Sequence, residues 1–430
     1  MNPKSVGTKA NKFLAVQSIF YGLANCIEAS VPFLLAPILT RMLDPTGYGV
    51  WVLFITYATL VRPMVGLTIQ DAIRMRFYDL EKKQLDQFVH TALFVMVLLA
   101  SVVTAGTILL GDAIAVVTKF PEAWLAAIIV AAFLFEAFYT CLALMQFQNE
   151  RKAFLTTQVL QAVLSMAFIV AFLVSGWDWR GVVIGRMLGM GIAILFSLRS
   201  LGYTTPSMLR IPKRTYYRNI AGFGILYWPA GAVVMVVATI GKVGAAHYLG
   251  IEASAMYGVA ALFASAFWIV NHSFVLAWTP WLFRRLNVAD SEGMREVTSI
   301  SILYFVLAAL AATAFYFFAR LVAPILLGEA FHTAIPLLKY VMPAIVLQGY
   351  FMHNMKFLHY EKRVAMMSAS SIATILLCLG LTMRWAQTMG IEGIMLAWAV
   401  SFGAAFFMTG VFVLLRHIKF GQGARVVAEQ

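Results

Sequence analysis

Twelve apolar blocks of about twenty residues each, joined by short polar connections, fill this 430-residue chain and fix what it can become. Crossing ~30 Å of hydrocarbon as an α-helix takes about 20 residues, so each block has the length of one span. In hydrocarbon every backbone N–H and C=O must be satisfied internally, which makes the blocks helices. The strands of a membrane barrel would be shorter and would alternate polar with apolar residues, a pattern the chain lacks. Hydrophobic residues are 62% of the chain and charged residues 12%, more apolar surface than a water-soluble fold can hide. The spans are read as 13–39, 50–70, 88–111, 123–147, 154–175, 181–199, 220–248, 254–278, 297–318, 334–357, 364–385 and 391–415. The expected fold class is an all-α polytopic membrane protein with twelve transmembrane helices.

Charge sets the expected orientation, because cytoplasmic loops collect Lys and Arg. Of the 32 basic residues, 23 fall on the side holding both termini, 7 on the other side, and Arg62 and Arg186 lie within spans. Both termini are therefore expected in the cytoplasm. The net charge of +13 follows from this bias. No nucleic-acid partner is expected, since the basic residues are spread over seven loops and form no single surface. Three lysines precede a first apolar run too long for a cleavable signal, so span one is expected to stay in the membrane. Cys26, Cys141 and Cys378 all fall inside spans and read as packing residues, with no metal site expected.

The two halves of the chain echo each other. Tyr48-Gly49-Val50 after span one answers to Tyr257-Gly258-Val259 after span seven, 209 residues on. Met145 and Phe147 with Glu150-Arg151-Lys152 answer to Met355 and Phe357 with Glu361-Lys362-Arg363, 210 to 211 on. Gly181-Val182-Val183-Ile184 answers to Gly393-Ile394-Met395-Leu396, 212 on. A constant offset over six spans points to two parallel, pseudo-symmetric six-helix bundles. The expected division is 1–199, a basic cytoplasmic linker 200–219, and 220–430 ending in a short cytoplasmic tail.

Three helix ends carry a resemblance. They are Pro37-Ile38-Leu39-Thr40-Arg41-Met42-Leu43-Asp44-Pro45-Thr46-Gly47-Tyr48-Gly49, then Lys242-Val243-Gly244-Ala245-Ala246-His247-Tyr248-Leu249-Gly250, and Leu276-Ala277-Trp278-Thr279-Pro280-Trp281-Leu282-Phe283. These strings resemble the polysaccharide-export, Wzx-like flippases of O-antigen or capsule repeat units, within the MATE-like MOP exporter superfamily. The resemblance covers essentially the whole length. Where the family pattern would carry an Asp-Arg pair late in span seven, this chain has Gly241-Lys242. The resemblance implies a MATE-like fold in a bacterial inner membrane. It also implies export of an oligosaccharide or exopolysaccharide unit on undecaprenyl diphosphate, from the cytoplasmic to the outer leaflet. The implied partners are that glycan lipid, membrane lipids and the polysaccharide polymerase machinery. No cofactor is implied beyond a coupling H+ or Na+.

A polar, anionic head group needs a hydrated, cationic chamber to pass hydrocarbon. Charges deep in spans are costly and usually face a cavity or a partner. Arg62 is the candidate for the diphosphate, because guanidinium matches phosphate forks and stays charged. Glu28 and Glu136 are candidates for balancing Arg62 or for binding the coupling ion. Asn25 shares a helix face with Glu28, and Tyr139 and Thr140 lie near the face of Glu136. Gln158 and Gln161, with Ser165, form a polar stripe on span five. Arg186 and Lys242 are further candidates, although each can snorkel to the interface. The competing reading is a buried Glu–Arg pair that only locks helices together.

No metal, P-loop or nucleophile–base motif is visible, and external loops of about a dozen residues hold no paired carboxylates. An enzyme is not expected. Two transport alternatives stay open: a MATE-like exporter of small drugs and a lipid II-type flippase.

Overall fold

The computed structural model describes residues 27, 30–66, 69, 73, 82–203, 214–288 and 291–428, with the backbone alone for 82–83, 214–231, 276, 288, 291 and 415–428. Asn25, Glu28 and residues 204–213, half of the 200–219 linker, lie outside the described residues. Among the described residues the fold is all-α. Its long helices are α1 (Ser30–Met42), α2 (Pro45–Gly66), α3 (Lys82–Leu109), α4 (Leu125–Phe147), α5 (Arg151–Val174) and α6 (Trp179–Ser200). They continue with α7 (Arg214–Leu249), α8 (Ile251–Val288), α9 (Ser291–Leu326), α10 (Leu338–Tyr360), α11 (364–389) and α12 (391–428). Gly390, at φ 63° and ψ −144°, breaks the last two apart; only glycine adopts that backbone at low cost. A short helix, Gly111–Thr118, and two 3₁₀ segments, Glu122–Trp124 and Glu329–Leu337, fill connections.

Local chemistry explains the helix ends. Asp44 caps α2, its Oδ1 accepting from the Gly47 N–H at 2.9 Å, and Asp178 caps α6 by accepting from the Arg180 N–H at 2.9 Å. Within the helices, hydroxyls of Thr40, Thr56, Thr104 and Thr107 donate to carbonyls four residues back. Each polar group is thus satisfied without leaving its own segment. Helices α7, α8 and α9 have 36, 38 and 36 residues. At 1.5 Å per residue that exceeds the hydrocarbon, and the apolar blocks mark only their middles. The overhang of α8 and α9 is joined by an Arg285–Glu296 ion pair at 2.7 Å.

The helices gather into two compact units. The first holds the described residues of 1–43, 61–115 and 121–224. Its α5–α6 hairpin packs along the ridge of Gly181, Gly185 and Gly189. A Cβ on Gly185 would lie 2.7 Å from the Ile169 backbone nitrogen, and one on Gly189 2.6 Å from Ser165 Cα. Small residues at this spacing let helix backbones touch. At one end of the unit Trp124 and Trp179 meet edge-on. At the other, Tyr203 donates to Asp86 Oδ1 at 3.1 Å. Burial, reinforced by Asp86, holds the Tyr203 phenol well above its ordinary pKa, so it remains a donor throughout the physiological range.

The second unit holds the described residues of 44–60, 116–120 and 225–430. Here α2 and α8 approach closely beside each Tyr-Gly-Val copy. A Cβ on Gly258 of α8 would lie 2.7 Å from Val52 Cγ2 of α2, and one on Gly49 would lie 2.8 Å from Ile251 Cγ2. Thr46 donates to Glu252 at 3.1 Å across the same crossing. The repeated tripeptide therefore marks a close helix approach as well as a helix start. Trp278 and Trp281, whose place at a span end suggests interface anchors, behave differently. Trp278 is buried, in a core with Leu282, Leu286, Val297 and Phe357, and Trp281 packs against it. The reason is the α8 overhang, which puts another ten residues of helix beyond Trp278.

Candidate functional site

The first unit concentrates charge on one stretch of α4. Glu136 is 4% exposed and accepts from Arg62 Nε of α2 at 2.8 Å. The Arg62 side chain is 30% exposed, and its guanidinium carbon lies 4.5 Å from the centroid of Tyr139, one turn along α4. Ring and carboxylate hold the same cation from two sides. Gly66, one turn after Arg62, makes room for the pair. A Cβ there would come within 2.7 Å of Glu136 Oε1 and closer still to its Cγ and Cδ. Among the described residues, Glu136 is the one carboxylate bonded to Arg62.

Arg186 of α6 approaches the same stretch, its guanidinium carbon 5.5 Å from the centroid of Phe135. Two guanidinium groups, from α2 and α6, thus flank residues 135–139 of α4 beside one described carboxylate. Next to them Thr140 Oγ1 is buried without a hydrogen-bond partner among the described residues. Gln158 and Gln161 are 0% and 1% exposed. Gln161 Nε2 donates to Ser165 Oγ at 3.1 Å, and Ser165 in turn donates weakly to the Arg186 carbonyl at 3.4 Å. Gln161 Oε1 is buried with no hydrogen-bond partner among the described residues. Such an atom ordinarily has a water or ligand to itself.

Lys242 belongs to the second unit and has no ion-pair partner among the described residues. Its neighbour Gly241 sits where an acid would be expected in the family pattern, and a Cβ there would strike the Tyr257 ring and hydroxyl. The space for a side chain at 241 is taken by Tyr257, which is fully buried.

The second unit has its own polar node, and it is uncharged. Asn271 of α8 lies 209 residues after Arg62, and Gly349 of α10 lies 210 after Tyr139, the offsets of the sequence repeat. Asn271 packs against Gly349 where any Cβ would clash with its amide. Its Oδ1 accepts from Tyr304 of α9. His353, fully buried, lies between Trp278 and Tyr304 with ring centroids 4.9 and 5.0 Å away, and its Nε2 is 3.0 Å from Ser301 Oγ. Corresponding helix positions thus carry an ion pair in one unit and an amide–aromatic cluster in the other. Asn354 simply ties α10 to α12, donating to the Phe406 carbonyl at 3.2 Å and to Thr409.

Sequence reading singled out Arg62 and brought Glu136, Tyr139 and Thr140 onto one candidate face. It missed Phe135, whose ring carries no polar signal, and it missed that Gly66 clears room for Glu136.

A family profile described as "Polysaccharide biosynthesis protein" matches residues 14–286. A stretch of 89 residues is 33% identical to "Lsg locus putative protein 1" of Haemophilus influenzae (strain ATCC 51907 / DSM 11121 / KW20 / Rd), covering 21% of this chain and 22% of that protein. Among solved structures, an inward-facing multidrug resistance MATE family transporter of the MOP superfamily superposes with a TM-score of 0.73 at 14% identity, over 92% of this chain and 96% of the other. An outward-facing conformation of a MATE family transporter gives 0.59 at 16% identity, over 94% and 96%. A MATE in complex with MaL6 gives 0.62 at 13% identity, over 94% and 97%. The likeness at such low identity is one of fold: twelve membrane helices in the MATE arrangement. The chain therefore belongs to the polysaccharide biosynthesis protein family, as a multi-pass membrane protein of MATE-like fold.

Proposed function

We propose that this protein is a flippase. It moves a polyprenyl-diphosphate-linked oligosaccharide repeat unit from the cytoplasmic to the outer leaflet of a bacterial inner membrane, by alternating access with both termini cytoplasmic. The observation that carries the reading is Arg62. Glu136 occupies its Nε, Tyr139 supports its face, and the side chain stays 30% exposed. Guanidinium presents a second pair of donors beyond Nε, and that edge suits two phosphate oxygens. Arg186 adds a second cation beside α4, and Gln161 offers a buried amide oxygen for sugar hydroxyls. Gln158, Lys242 and Asn25 complete the proposed lining.

Glu136 supplies the coupling. Diphosphate and carboxylate compete for one guanidinium. A proton or Na+ arriving at Glu136 releases Arg62 for the substrate, and its departure restores the ion pair and expels the head group. Glu28 is proposed as a second balancing carboxylate.

The test is a chromosomal Arg62→Ala variant, with Arg62→Lys beside it and membrane abundance measured. Both are expected to cut surface glycan and to accumulate undecaprenyl-linked repeat units inside the cell, with drug tolerance unchanged. Normal glycan export by Arg62→Ala overturns the phosphate role. Lost drug tolerance with intact glycan would point to a small-molecule exporter instead.

A further inference from the structure

Away from the charged site, the second unit carries a groove of about 590 Å³ between α9 and α10. Ala309, Thr313 and Phe317 form one wall, and Met342, Val346 and Tyr350 the other. Lys339 and Tyr316 stand at one end. On α10 the distance from Lys339 to Tyr350 is 11 residues of helix, about 16 Å. That is one leaflet's depth, half of the ~30 Å hydrocarbon core. The α9 side is bordered by exposed apolar residues, including Leu310, Phe317 and Leu321, the dress of a helix that meets lipid.

The groove is apolar along its length and cationic at its mouth. The Lys339 side chain is half exposed, and its Nζ is 3.9 Å from Glu392 Oε1 and 4.6 Å from the Tyr340 ring centroid. Tyr340 also donates to Glu392, so the carboxylate is already held by a second donor. Exposed Arg320 lies one turn past Tyr316 on α9, at the same end of the α9–α10 hairpin. We infer that this groove binds one anionic phospholipid, with an acyl chain between α9 and α10 and the phosphate at Lys339 and Arg320. A one-leaflet depth fits an ordinary acyl chain, and a long polyprenyl chain would overrun it. Lys339 lines the mouth, exposed Arg320 follows one turn past Tyr316, and the nearby Glu392 carboxylate is shared with Tyr340, which favours a net-anionic head group over a zwitterionic one.

Native mass spectrometry of the purified full-length protein tests this, with phosphatidylglycerol and phosphatidylcholine of matched chains as probes. Phosphatidylglycerol is expected to be retained about fivefold more tightly at one site, the ratio expected from one basic residue near an anionic head group. Lys339→Gln should remove that preference. Thr313→Trp, at an exposed groove position that leaves the core intact, should abolish the tight site for both lipids. Lys152→Gln, a control in the first turn of α5, should change neither. Equal retention of the two lipids, or a tight phosphatidylglycerol site surviving Thr313→Trp, overturns the inference. Displacement of the bound lipid by equimolar undecaprenyl phosphate also overturns it, because the occupant would then be the carrier.

Discussion

Arg62, Glu136 and Gly66 form a three-residue unit whose members have different jobs. Glu136 is 4% exposed, so losing Arg62 strands its charge in a poorly solvated place. Glu136→Ala is expected to cost about 3 kcal/mol, the lower end for breaking a buried pair because Arg62 is partly exposed. Gly66→Ala should cost about 1–3 kcal/mol by overpacking, since its Cβ would collide with the Glu136 side chain. Combining the two should be cheaper than the sum, because Glu136→Ala removes the atoms that Gly66→Ala strikes. Thermal unfolding of the three variants in detergent measures this. Strict additivity would mean that Gly66 faces something other than Glu136. The ion pair was legible in the sequence because a charge in hydrocarbon is expensive and demands a partner. Gly66 was not, because clearance depends on the side chain of a different helix, 70 residues away.

Helix pairs are set by where side chains are missing. Gly189 and Gly191 share α6, two residues apart. A Cβ at Gly189 runs into the Ser165 backbone, while at Gly191 it meets nothing within 4 Å. Gly189→Ala is therefore expected to lower the melting temperature by several degrees and Gly191→Ala to leave it unchanged or raised, by about the helix-propensity gain of Ala over Gly. Equal effects would mean that α5 and α6 are not in backbone contact. The small-residue ridge was readable from its four-residue spacing alone. The polar stripe on α5 was readable too, but its destination was not. Gln158, Gln161 and Ser165 share a face by spacing, and only the neighbouring helix decides that this face is buried. The same limit applies to α8, where the apolar block ends near Trp278 and the helix runs on to Val288. Hydropathy reports where the bilayer is, not where the hydrogen-bonded helix stops.

At the scale of the whole molecule, twelve helices were countable because bilayer thickness fixes their length. Orientation rests on the imbalance of basic residues and yields a direct expectation. With the native cysteines replaced, a cysteine at Lys152 should react with an impermeant maleimide only after the membrane is opened. One at Asp178, at the other end of α5, should react in intact cells. The reverse pattern would turn the proposed direction of transport around. The repeat was readable as a constant offset, but its asymmetry in chemistry was not. Arg62 and Asn271 hold corresponding positions, and nothing in their spacing announces that one unit pairs charges while the other stacks His353 between Trp278 and Tyr304.

Residues 44–60 belong, by packing, with the second unit. Leu53, Phe54 and Ala58 are 0–1% exposed, and Tyr48 meets Phe331 edge-on with centroids 5.1 Å apart. A gene cut inside the 200–219 linker would thus give two fragments, neither self-sufficient. The N-terminal piece would display an orphaned greasy strip, and the C-terminal piece would lack a staple of its own interior. Coexpressed, the fragments should find one another and restore the proposed export; made singly, each should be degraded.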